Sequence, residues 1–332
     1  MKQQVLQIKR SEDRVANIAV LGAGGLGTAA ARMLAMKKEM RLAGIADKTG
    51  YVVDLEGIDP ELLENKKPGD IGMKSDDAIG EIVKNSANFD GIFLALPNLT
   101  DEFIPEVVSR FAEQGYSGVM VDALKRSGAV EKIFELDSMI RESGITYITG
   151  AGATPGLLTC AAAIAANSFI EVTGVDINFG VGVANWESYR ATIREDIAHL
   201  EGFDLEKAAG MTCAEIKEEL DRRKGILRLH DMEHADDVLL ERAGILSREK
   251  VKVGGTVDTR NPEKPVSTTM TLTGKTFDGN VSSHRFILGD ETTMASNVVG
   301  PALGWMKAGL EFHARGIYGV FGSAEIMPRF VR

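Results

Sequence analysis

Residues 17–36 read NIAVLGAGGLGTAAARMLAM, a short apolar run, then six glycine-rich positions, then an alanine-rich stretch. Apolar β-type residues followed by glycines and then by strong helix formers give the order strand, loop, helix. In that context Gly22-Ala23-Gly24-Gly25-Leu26-Gly27 fits GxGxxG, and each of the three motif glycines has a job. Gly22 permits the tight turn, Gly24 lets backbone approach a pyrophosphate, and Gly27 lets helix and strand pack closely. Gly25 and Leu26 lie in the opening turn of the helix, where free N–H groups and a partial positive charge face the phosphates. Asp47, 20 residues after Gly27, ends the next apolar run, where a carboxylate accepts hydrogen bonds from ribose hydroxyls. The expected cofactor is therefore NAD, because Asp47 repels a 2′-phosphate; the adjacent Lys48 leaves NADP open.

Outward from this motif, apolar runs recur at Arg41–Ala46, Gly91–Leu96, Gly118–Val121 and Ile145–Ile148, with helical segments between them. Parallel strands need crossover helices, so the alternation predicts a parallel sheet covered on both faces. Ala95-Leu96-Pro97-Asn98 falls at the carboxyl end of a central strand, where such sheets place their ligand crevice; it reads as a cofactor contact or as a plain strand-ending turn. After Gly150 the pattern changes to a helix over Gly156–Ala166 and a strand over Val172–Val183. A charged, helix-like region from Glu187 to Lys250 follows, with Ile216, Leu220, Ile226, Leu229, Val238 and Leu239 as its apolar positions. Strand-like runs at Lys250–Asp258, Val266–Phe277 and Asn280–Leu288 then follow one another, the last two joined by a hairpin at Asp278-Gly279-Asn280. The expected class is α/β: a Rossmann-type doubly wound parallel sheet with a second α+β domain built on a mixed or antiparallel sheet. The expected division is 1–152 for dinucleotide binding, 153–292 for substrate and dimerisation, and 293–332 for a helix returning to the first domain.

The chain has 332 residues, which favours two domains over a single core. A net charge of -10, with no long basic run, excludes nucleic acid as the expected partner. Cys160 and Cys213 cannot build a disulfide framework, so a reducing compartment is expected. The opening MKQQVLQIKRSEDR lacks the apolar core of a signal peptide, and no stretch is long enough to span a bilayer, so the reading is cytoplasmic, with no membrane partner. A homodimer is expected from the uncovered face of a mixed sheet.

Taken together, the glycine loop, the ALPN turn, Gly150-Ala151-Gly152-Ala153-Thr154-Pro155-Gly156 and the stretch from Thr293 to Pro328 resemble the saccharopine dehydrogenase-like family. The resemblance covers both ends of the chain and leaves 187–250 without a family motif. It implies an NAD(P)-dependent oxidoreductase with hydride transfer at the C–N bond of an amino acid or its imine conjugate, acting on a small amino-acid-like substrate. Hydroxyl oxidation, as in homoserine dehydrogenase, and a non-catalytic NAD(P)-binding sensor stay open as alternatives.

Asp122, Lys125 and Arg126 follow a strand and should emerge at the crevice edge. Lys125 is the first acid–base candidate, since a lysine desolvated beside nicotinamide has its pKa lowered towards neutrality; the alternative is an exposed lysine at a helix start. Asp122 is its companion. Thr154, Pro155 and Gly156 open a helix whose N–H groups suit a substrate carboxylate or the cofactor amide, or else form a simple cap with proline in the first turn. Trp186, Tyr189 and Arg190, with Glu187 and Arg194 nearby, offer aromatic walls and carboxylate-binding guanidinium groups, or else core and solvated positions. His230 and His234 stand at helical spacing in HDMEH, but the order is not HExxH; no metal is expected and a solvated helix face is the reading.

Overall fold

The computed structural model describes residues 14–98, 100–183, 185–289 and 294–332; the opening segment to Asp13 and the expected boundary at Thr293 lie outside them. The chain runs β1 (Ala16–Leu21), α1 (Gly25–Ala35), β2 (Met40–Asp47), β3 (Gly50–Val53), α2 (Pro68–Ile71), β4 (Met73–Lys74) and α3 (Ala78–Lys84). It continues with β5 (Gly91–Leu94), α4 (Phe103–Glu113), β6 (Val119–Asp122), α5 (Ser127–Glu135), α6 (Asp137–Glu142) and β7 (Thr146–Thr149). Next come α7 (Leu157–Ala166), β8 (Glu171–Gly182), α8 (Arg190–Ala198), α9 (Leu205–Gly210), α10 (Cys213–Arg222), β9 (Ile226–Leu229) and α11 (Asp236–Arg242). Strands β10 (Val251–Asp258), β11 (Thr269–Lys275) and β12 (Val281–Ile287), then α12 (Met294–His313) and β13 (Gly319–Gly322), complete it.

In β1, Ile18 and Val20 pack on one side and Ala19 and Leu21 on the other, all fully buried. A strand apolar on both faces needs cover on both, and that is what doubly winds the sheet. Helices α1 and α12 cover the Ile18 side, with Ala30, Leu34, Leu303 and Trp305; α3, α4 and α5 cover the other, with Ile82, Phe111 and Ile133. The order is β13-β7-β6-β5-β1-β2-β3-β4, and β1 is parallel to both β2 and β5, so the topological switch lies between β1 and β5.

Two departures from the expected alternation enlarge this sheet. After β2 the chain folds straight back as antiparallel β3 and β4. The turn uses Gly50 at φ +151, where a Cβ would stand 2.1 Å from the Met73 carbonyl oxygen. At the far edge β13 joins β7 in parallel, from a segment that reads as a glycine-rich turn. Both additions involve strands of two to four residues, too short to carry a periodic signal.

The second sheet, β12-β11-β8-β10-β9, is mixed: β10 is parallel to β8 and antiparallel to β9. Val175 and Ile177, with Val253, Met270 and Leu272, pack under α7 and α11, while Leu227, Leu229 and Val257 pack under α8 to α10. The charged region is therefore not wholly helical. Ile226 and Leu229 belong to β9, where Leu227 and Leu229 point inward and Arg228 is exposed, the alternation of a half-buried strand. No helix among the described residues is long and apolar enough to cross a membrane.

Candidate functional site

At the switch point, β1 ends at Gly22, whose φ is +103 and whose added Cβ would meet the Ala95 carbonyl oxygen at 2.3 Å. Gly27 is as tightly held, since a Cβ there would stand 1.8 Å from the Gly22 carbonyl oxygen. Gly24, by contrast, is exposed with nothing within 4 Å of that position. Two glycines are thus required by packing and one leaves a clear approach to backbone, the division of labour a pyrophosphate cradle needs. No side chain caps the N-terminus of α1 and its first turn has no acidic residue, so its N–H groups are available to an anion. Leu26 packs partly into the core beneath the loop.

Asp47 is half-buried and its Oδ1 accepts from Thr49 N at 2.8 Å and Thr49 Oγ1 at 2.6 Å, which fixes the carboxylate at the end of β2; Lys48 is exposed. Beyond β5, Ala95 and Leu96 pack against opposite faces of the sheet core and Pro97 is exposed. Both polar side-chain atoms of Asn98 are buried with no hydrogen-bond partner. A buried carboxamide without partners is costly unless a ligand satisfies it, so this side chain fits a polar group of a dinucleotide. The ring of Tyr189 reaches over from the segment before α8, with Cε1 3.3 Å from where a Gly25 Cβ would stand, and so walls the loop.

A second constellation lies in the crevice beyond β6. Lys125 Nζ is 2.6 Å from Glu195 Oε2 and 3.9 Å from Asp196 Oδ1, both on α8. His199, Leu205, Met232, Glu233, His234 and Arg126 line the same crevice. The expectation of a lysine pKa lowered towards neutrality is corrected here. Burial alone pulls the ammonium down, but Asp196 and Glu195 outweigh it and hold Lys125 above the ordinary lysine range. Burial pushes Asp196 up to about 6 against the opposing pull of Lys125. Burial and the Lys125 charge together lower His199. Arg126 is tied to Asp101 at 2.9 Å.

Asp122 is 1 % exposed and accepts from Leu124 N, Gly150 N and the Tyr147 hydroxyl, at 2.9, 2.8 and 2.8 Å. Its burial raises its pKa. It is enclosed by protein partners and holds the loop that carries Lys125, so contact with substrate is ruled out by geometry. The same loop is fastened from the other side: Ala235 N donates to the Lys125 carbonyl at 2.8 Å, and Glu233 Oε1 accepts from Ser127 N at 2.8 Å.

The Thr154-Pro155-Gly156 segment differs from a proline-started helix. Gly156 is the cap residue at φ +130, Pro155 lies before it, and the Thr154 hydroxyl donates to Asp236 Oδ2 at 2.6 Å. Thr159 Oγ1 donates to Asp236 Oδ1 at 2.5 Å and itself accepts from Gly156 N at 2.7 Å. His234 Nδ1 is 2.7 Å from Asp236 Oδ2, and Asp236 is fully buried. The helix expected through His230 and His234 is absent: His230 follows β9 and is exposed, while His234 lies in a loop at 4 % exposure. Among the described residues no group of three or more His, Cys, Asp or Glu is arranged to hold a metal.

Trp186 packs partly into the core under α8 and Arg190 is exposed; of the expected substrate wall, Tyr189 is the residue that reaches the β1–α1 glycine loop. Glu195, Asp196, His199 and Asp236 escaped sequence reasoning, and His234, read as part of a solvated helix face, is buried instead. The available signals were the Glu195, Asp196 and His199 spacing, which gathers polar groups on one helix face, and the His-x-Asp pair at 234 and 236.

No protein-family model matches the chain. The curated (S)-8-amino-7-oxononanoate synthase BioU of Haloferax mediterranei is 43% identical over 349 aligned positions, spanning 95% of this chain and 99% of that protein. Among solved structures, an engineered D-amino acid dehydrogenase bound to NADP+ superposes with a TM-score of 0.58 at 15% identity, covering 95% of each chain. The DAP dehydrogenase of C. glutamicum in complex with DAP gives 0.57 at 16%, covering 94% of each. The saccharopine dehydrogenase (L-Glu forming) of Saccharomyces cerevisiae gives 0.56 at 12%, covering 93% of this chain and 94% of that one. At such identities these neighbours share the Rossmann-type fold with a second domain and nothing finer. The synthase match overturns the saccharopine dehydrogenase-like resemblance, and with it the amino-acid C–N dehydrogenase, hydroxyl-oxidation and sensor readings.

Proposed function

Because the chain belongs to the family of the (S)-8-amino-7-oxononanoate synthase BioU, we propose that it is an enzyme making this amino-oxo acid with the help of a nicotinamide dinucleotide held at Gly22–Gly27. The observation that carries the proposal is an identity of 43% running through 95% of the chain, well beyond the dinucleotide loop that many folds share.

The compound's structure sets three demands: an ammonium at C8, a keto oxygen beside it at C7, and an apolar chain leading to a carboxylate. Glu195 and Asp196 suit the ammonium, since opposite charges in a half-buried crevice attract more strongly than in water. Lys125, held protonated by those carboxylates, suits the keto oxygen as a charge-assisted donor. Leu205 and Met232 give the crevice an apolar side for the chain.

The cradle fits a dinucleotide through open Gly24, the uncapped α1 N-terminus and the partnerless Asn98 carboxamide. When bound, the nicotinamide supplies hydride exchange with a substrate carbon. Asp47 favours NAD over NADP by charge, and Tyr189 helps to keep water from the loop.

The test incubates purified protein and (S)-8-amino-7-oxononanoate with each nicotinamide cofactor, oxidised or reduced, and follows the compound by chiral mass spectrometry. Gain or loss of the S enantiomer, dependent on dinucleotide, supports the proposal. Neither binding nor turnover of that compound in the presence of any dinucleotide overturns it.

A further inference from the structure

The crevice holds several candidate bases, and its carboxylates are engaged. Glu195 is ion-paired with Lys125, and Glu233 accepts from the backbone N–H of Ser127. Asp196 shares the Lys125 charge. Among the described residues no carboxylate is hydrogen-bonded to the His199 ring to fix it, whereas His234 is anchored by Asp236 at 2.7 Å. Thr154 and Thr159 hold that carboxylate from two sides, so its orientation is set before any substrate arrives. An ionised carboxylate only accepts hydrogen bonds. With a carboxylate as acceptor, the proton in the His234–Asp236 contact sits on Nδ1, which leaves Nε2 as the lone-pair nitrogen of the neutral ring. His234 lines the crevice beside Lys125 and Glu195, and no hydrogen bond to Nε2 is made among the described residues.

We infer that His234 is the catalytic base of this site and Asp236 its positioning residue; the inference rests on the synthase reading for the identity of the substrate. In the step, an N–H bond of the C8 ammonium breaks, its electron pair stays on the substrate nitrogen, and an Nε2–H bond forms. The positive charge passes from substrate to imidazolium, where Asp236 stabilises it. The proton returns to the amine when the group is released, so the step consumes no oxidant or reductant. A carboxylate that fixes the tautomer and then steadies the imidazolium is the general logic of His–Asp pairs.

The test uses the full chain and the variants His234→Asn, whose amide still donates to Asp236, and Asp236→Asn. Both should bind dinucleotide as the parent protein does, which reports an intact fold. Turnover of (S)-8-amino-7-oxononanoate should fall by roughly 100- to 10,000-fold in kcat, the usual weight of a positioned acid–base group. Added imidazole should restore part of the activity of a His234→Gly variant. Independently of turnover, 15N spectra of labelled histidine, assigned by difference with His234→Asn, should report Nδ1–H for His234 and a switch to Nε2–H in Asp236→Asn. Parental turnover in His234→Asn, or an Nε2–H tautomer in the parent protein, overturns the inference. A parent protein inert towards the substrate would instead sink the synthase reading, and the tautomer measurement alone would then decide the dyad.

Discussion

Lys125 shows how one side chain's charge state is set by residues far away in sequence. Its amine faces Glu195 and Asp196 from a helix some 70 residues on, and their combined field exceeds the penalty of burial. Replacing it by methionine keeps most of the volume but leaves two carboxylates without their cation. Lys125→Met should retain dinucleotide binding by calorimetry while turnover collapses, and the Asp196 carboxyl should titrate higher than in the parent. Asp196 itself gives a pH prediction. Its pKa is raised from 3.8 to about 6, so it is charged above that point and neutral below it. Affinity for the ammonium-bearing compound should therefore drop as pH falls through about 6, and Asp196→Asn should flatten that step in a calorimetric series.

At the scale of the element, the β1–α1 turn separates glycines that packing requires from one, Gly24, that packing leaves free. Gly22→Ala puts a methyl 2.3 Å from the Ala95 carbonyl at a positive φ, so the loop must move and thermal stability should fall. Gly24→Ala meets no atom within 4 Å, so the melting temperature without cofactor should be unchanged. Its methyl would occupy the approach of the pyrophosphate, and dinucleotide affinity should drop by about tenfold or more, ~1.4 kcal/mol. Equal affinity in Gly24→Ala and parent would remove the cradle assignment.

Across the whole molecule, the C-terminal segment is locked onto the first sheet by charge as well as by packing. Glu39, just before β2, meets Lys307 of α12 at 2.7 Å and Arg332 at 3.1 Å, while Trp305 donates from the core to the Ile326 carbonyl at 2.8 Å. Burial pushes the Glu39 carboxyl up, yet Lys307 and Arg332 outweigh it and lower its pKa from 4.5 to about 2. A carboxylate depressed on folding stabilises the native state above its unfolded pKa, and that contribution is lost as pH falls from 4.5 towards 2. The contribution is at most about 3 kcal/mol. Glu39→Gln should cost up to that amount in urea unfolding near neutrality, and the gap between variant and parent should close on acidification.

Read alone, the amino-acid order determined what depends on short-range pattern: the glycine turn, the flanking strands, the helices that doubly wind the sheet, and the hairpin at Gly279. Those features rest on neighbours a few positions apart, which periodicity and turn chemistry report directly. Strands β3, β4, β9 and β13 stayed hidden because two to four residues carry no period, and partners across the sheet decide them. The ionic crevice was hidden for a related reason. Lys125, Glu195 and the His234–Asp236 pair come from three separate segments, and whether a buried charge is paired, raised or lowered depends on which groups the completed fold brings within a few ångströms.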